Sequence, residues 1–138
     1  MTAHAHARPG LRLPPATFRI TRDDLRAYAE ASGDANPIHL DPAAAAAAGL
    51  PGTIAHGMLV MGLAASAVEA WAGAPATVQE CGARWPRPVV VPAGGTDVHV
   101  DATVAERLDG RRVRVRATAR CGGDTVMTMP RLVVALPR

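Results

Sequence analysis

The sequence predicts an α+β domain in which an antiparallel sheet wraps around one central helix. Two observations carry this reading. Residues 56–71 form a proline-free run of helical length that is apolar nearly all round, the pattern of a buried helix. Residues 77–138 then alternate in the manner of strands, at about 77–85, 96–106, 111–121 and 124–136. The turn signals LDGR (108–111) and GGD (122–124) separate the last three. A buried helix followed by consecutive strands suits a helix packed on an antiparallel sheet.

The elements follow in order. Residues 1–15 read as a flexible N-terminal tail, with Pro9, Pro14, Pro15 and two histidines, His4 and His6, that offer weak metal ligands at most. The domain then runs from 16 to 138. ATFRI (16–20) is a short strand. A helix at about 22–31 follows Thr21, with Asp24 three residues on in a variant of the capping box. The loop SGDANPIHLD (32–41) comes next. Asp41 then caps a short helix, with Pro42 at its first position, six alanines to propagate it and Gly49 to stop it. Pro130 interrupts the last strand and requires an edge position or a bulge there.

Composition narrows the function. The chain has 138 residues, 49% hydrophobic and 20% charged, which is one globular domain. Aromatics make up 3%, so Ala, Val, Leu and Met build the core, and few rings are left for stacking on bases. Together with the spread of its arginines this disfavours nucleic-acid binding. RRVRVR (111–116) reads as a strand with one wet face. The net charge is +3 and no lysine is present, which excludes Schiff-base catalysis by a side chain. Cys81 and Cys121 lack CxxC spacing and read as free thiols in a reducing compartment. No apolar run suggests a signal peptide or a membrane span, so the expected location is the cytoplasm.

Two short stretches can carry chemistry. In the loop, Pro37 holds Asn36 out of the helical region and keeps the chain open. Asp34 and His39 are close enough to flank one small molecule such as water, as a general acid–base pair, and Asn36 can orient either of them or a substrate amide. The same residues also make ordinary turn chemistry, and spacing alone does not choose. The second stretch is IAHGM (54–58), where the buried helix begins. Free N–H groups there favour negative charge, and Gly57 lets an oxygen approach closely. That suits an oxyanion hole, or equally a close-packing glycine. His56 on its own reads as a core histidine. His39 and His56 lack metal-ligand spacing, so no metal is expected.

YAEASGDANPIHLD (28–41), followed after a short helix by GTIAHGMLVMGL (52–63), resembles the hydratase motif of the MaoC-like family, the (R)-specific enoyl-CoA hydratases and (3R)-hydroxyacyl-thioester dehydratases. ARWPRPVVVPAGG (83–95) is similar to a further family segment. LVMG (59–62) and SAVEAWAG (66–73) resemble the B subunits of mycolic-acid-pathway 3-hydroxyacyl-ACP dehydratases. The resemblance implies a hotdog fold, a catalytic dyad of Asp34 and His39, an oxyanion N–H on Gly57 and a supporting Asn36. His56 and Ser66 are the further candidates for contact with substrate. Ser66 lies one residue past the position, here Ala65, at which some members carry an orienting serine, about 100° around the helix. The implied activity is reversible hydration of enoyl thioesters of CoA or acyl carrier protein, with no cofactor. A thioesterase or a non-catalytic hotdog partner subunit is the alternative. The implied assembly is a homodimer, or a heterodimer with a related subunit.

Overall fold

The computed structural model describes residues 7–138, so His4 and His6 lie outside it. Strand β1 (Ala16–Ile20) leads into helix α1 (Arg22–Ser32), a 3₁₀ turn (Pro37–His39), the short helix α2 (Pro42–Ala47) and the long helix α3 (Gly57–Ala72). Strands β2 (Thr77–Arg84), β3 (Thr96–Arg107), β4 (Arg112–Cys121) and β5 (Asp124–Ala135) follow. All pairings are antiparallel, in the order β1-β3-β4-β5-β2, and the sheet packs on α3 as the hotdog arrangement requires.

The strands form where alternation places them. Val113, Val115, Ala117 and Ala119 of β4 point into the core, while Arg114, Arg116, Thr118 and Arg120 stay at or near solvent. Val98, Val100, Ala102 and Val104 of β3 pack beside them. Burying a valine side chain contributes about 1.5–3 kcal/mol, so many small side chains replace the few large rings this chain lacks. Pro130 is resolved as a bulge. β5 lies between β4 and β2, and its register slips on both sides of the proline: Val115 faces Leu132 but Ala117 faces Met129, and Gly82 faces Arg131 but Arg84 faces Thr128.

Two expectations need correction. The segment 7–15 is not a loose tail. Gly10 N–H donates to Val104 O (2.8 Å), Leu13 N–H to Ala102 O (2.9 Å), and Val104 N–H to Leu11 O (2.8 Å). Ala7 and Leu13 are buried. The segment prolongs β1 along the outer edge of β3, where a proline without an N–H is tolerated. Helix α3 is also not buried all round. Only Val60, Ala64, Val68 and Ala72, a single stripe at spacing four, are fully covered. One sheet can cover only one side of a helix, and Met58 remains 56% exposed. Among the described residues no helix is long and apolar enough to cross a membrane.

Candidate active site

The loop between α1 and α2 is shaped by local side-chain-to-backbone bonds. Helix α1 starts on the expected capping box of Thr21 and Asp24 and stops at Gly33, which adopts φ 80°. The Asp34 N–H then donates to Ser32 Oγ (3.1 Å), the Asn36 N–H to Asp34 Oδ1 (3.2 Å) and the Ile38 N–H to Asn36 Oδ1 (3.2 Å). Each is the two-residue reach that Ser, Asp and Asn favour in turns. Asn36 therefore caps the 3₁₀ turn begun by Pro37, and Asp41 caps α2 through the Ala43 N–H.

Longer-range ties fix the loop to the segment leading into α3. Ile54 N–H donates to Ile38 O (3.2 Å). His39 Nδ1 lies 2.6 Å from Ile54 O. A carbonyl can only accept, so Nδ1 carries a proton, and in the neutral ring Nε2 keeps its lone pair. That Nε2 stands 4.0 Å from Asp34 Oδ2. His39 is buried, whereas the Asp34 side chain is 52% exposed.

A cavity of about 310 Å³ opens beside His39, and Asp34 is not among the residues that line it. His39 and Gly57 line it together with apolar Ile54, Val60 and Val126, and Trp85 and Arg87 also line it. The first intrahelical bond of α3 is given by Leu59 N–H to His56 O (3.1 Å). The Gly57 and Met58 N–H groups precede it and lie at the positive end of a 16-residue helix. Gly57 has a second reason to be glycine, one invisible in the sequence. A Cβ there would meet the Trp85 indole at 2.9 Å, and Trp85 Nε1–H donates to Gly57 O (3.0 Å).

The other expected substrate contacts, Asn36, His56 and Ser66, do not line this cavity. Ser66 Oγ donates to Leu63 O (2.7 Å) and lines a separate groove with Phe18 and Trp71. Its turn around α3 carries it away from the dyad, as the helical offset from Ala65 requires. His56 is 2% exposed and lies beneath His39, with ring centroids 3.8 Å apart, so it presents no surface to the cavity. Asn36 spends its amide oxygen on the turn. Asp34, His39 and His56 each offer an atom within 4.8 Å of the others that could hold a metal, although one nitrogen of each histidine already donates to a carbonyl.

The chain matches the family model described as MaoC like domain over residues 6–121. It is 41% identical over 86 residues to 3-hydroxyacyl-thioester dehydratase X of Mycobacterium tuberculosis, covering 62% of this chain but 30% of that protein. It is 32% identical over 123 residues to 3-hydroxybutyryl-CoA dehydratase of Methylorubrum extorquens, covering 86% of this chain and 74% of that protein. The unliganded R-hydratase PhaJ1 of Pseudomonas aeruginosa superposes with a TM-score of 0.84 at 31% identity, over 98% of this chain and 85% of that one. With the family model matched over most of its length, and the expected sheet and helix in place, this chain belongs to the MaoC-like domain family.

Proposed function

We propose that the chain adds water across the double bond of a trans-2-enoyl thioester and, in reverse, dehydrates a (3R)-hydroxyacyl thioester. The acyl group is carried on CoA or on acyl carrier protein. One observation carries the reading: His39, which lines the cavity, holds its Nε2 4.0 Å from Asp34 Oδ2, and both atoms can accept a hydrogen bond. Two acceptors that each take one hydrogen from the same water, about 2.8 Å from its oxygen, stand roughly 4–4.5 Å apart. The pair is thus spaced to hold one water by both hydrogens. The names of the relatives, hydratase and dehydratase, support the same chemistry.

The roles follow from the tautomer. The thioester carbonyl docks at the N-terminus of α3, where the Gly57 N–H stabilises the charge that develops on oxygen. His39 Nε2 takes one proton from the water as its oxygen bonds to Cβ. The imidazolium returns that proton to Cα, so H and OH are added with no net change at the enzyme. Asp34 holds the water's other hydrogen and opposes the transient charge on His39. Dehydration runs the same steps backward. Neither direction uses a cofactor.

The working unit is a dimer in this reading. β2 is an edge strand, and the outer side of α3 is only partly covered. A second copy is the default partner, and a related hotdog subunit is the alternative. The two cysteines are free, which suits a reducing cytoplasm. The test follows an enoyl thioester by its absorbance while free thiol is titrated in parallel. Loss of enoyl absorbance without thiol release is expected. Thiol release at the same rate would make the chain a thioesterase, and no reaction alone or with a co-expressed hotdog partner would remove the assignment.

A further inference from the structure

His56 is the one buried ring of the site that the mechanism leaves unused. It sits at the N-cap of α3 and caps nothing with its side chain. Its Nε2 lies 3.0 Å from Asp34 O, across 22 residues of chain. A carbonyl accepts, so Nε2 carries a proton. Its Nδ1 is buried with no hydrogen-bond partner among the described residues. A proton there would be a buried donor facing no acceptor among the described residues. The same ring stacks on His39 at 3.8 Å and 22°, and Tyr28 packs on it at 4.7 Å.

A histidine kept only for packing would not need to retain a buried nitrogen without a partner. The hydrogen bond of this ring and its nearer ring contact both run to the dyad: one to the backbone of Asp34, one to the face of His39. We propose that His56 is a positioning residue that fixes the separation of Asp34 and His39 and gives His39 an uncharged floor on which to carry a proton. The bare nitrogen then has a purpose. A second cation stacked at this distance would repel the His39 imidazolium, whereas a neutral ring face can accept it. The proposal rests on the hydratase reading for its kinetic consequence but not for its geometry.

The test uses two replacements in the full chain. His56→Phe keeps a ring under His39 and loses the donor to Asp34. His56→Gln keeps a donor near the Nε2 position and loses the stack. The expected result for His56→Phe is a kcat about 10–100-fold lower, the scale of a small misplacement of reacting groups, with KM little changed. His56→Gln regains part of the loss. In wild type, ¹⁵N imidazole spectra show the proton on Nε2 of His56 and none on Nδ1. Unchanged kcat in both folded variants, a KM effect without a kcat effect, or a proton on Nδ1 would each overturn the proposal. Should His56→Phe fail to fold, the Gln variant and the spectrum still decide. Should wild type hydrate no enoyl thioester, the function falls separately. Amide exchange in residues 34–39 then tests the positioning: protection lost with Phe and kept with Gln supports it, and protection unchanged in both refutes it.

Discussion

The loop at 33–41 and the strands β3 to β5 are held together in opposite ways. The strands are tied by long ladders between residues far apart in sequence, and their inward side chains are almost wholly buried. The loop is shaped by bonds that reach two residues, then pinned to the segment leading into α3, at Ile54 and His56, by a few ties from Ile38, His39 and Asp34. The difference separates stability from chemistry. Changes inside the sheet cost folding free energy that many neighbours share. Changes in the loop alter the placement of one or two atoms and leave the fold standing.

The largest expected effect falls in the loop. Asp34→Asn and His39→Ala each lower hydration turnover by about 10²–10⁴-fold, the usual share of a general acid–base group, with the circular dichroism of a folded chain; His39→Ala also lowers the unfolding midpoint, because it removes a buried ring and its bond to Ile54 O. The sheet behaves in the opposite sense. Leu132→Ala removes a fully buried side chain from β5 and destabilises by about 2–5 kcal/mol, read as a lower urea midpoint, while turnover of the folded fraction is preserved. Asn36→Ala lies between the two. It removes the cap of the 3₁₀ turn, costs about 0.5–2 kcal/mol, and lowers turnover through the displaced His39 without a matching rise in KM. Arg116→Ser, on the wet face of β4, changes stability by less than about 0.5 kcal/mol and leaves turnover as it was. A loop variant that unfolds the chain, or a sheet variant that abolishes turnover while folded, would break the contrast.

The same contrast explains what the sequence made legible. Alternation marked each strand within a residue or two, and Thr21, Asp41 and Gly49 punctuated the helices, because these signals are local. The bulge at Pro130 follows from a missing donor in a strand flanked on both sides. Asp34 and His39 share one loop, so their approach was readable as well. Contacts between segments were not. Leu11 and Leu13 showed no period long enough to reveal a strand beside β3. The stack of His56 on His39, 17 residues on, has no periodic trace, and neither does the Trp85 indole against Gly57. Ser66 was placed by likeness to a neighbouring position, and a one-residue offset on a helix put it in another groove.

The central claim is that Asp34 and His39 act on one and the same water. A double-mutant cycle tests it most directly, with turnover of an enoyl thioester measured for wild type, Asp34→Asn, His39→Ala and the double variant. Groups that hold one water act as a unit, so the double variant should be no slower than the slower single variant, as strongly non-additive effects require. Losses that multiply, with the double variant as slow as the product of the two singles predicts, would show that the residues work independently and would contradict the account.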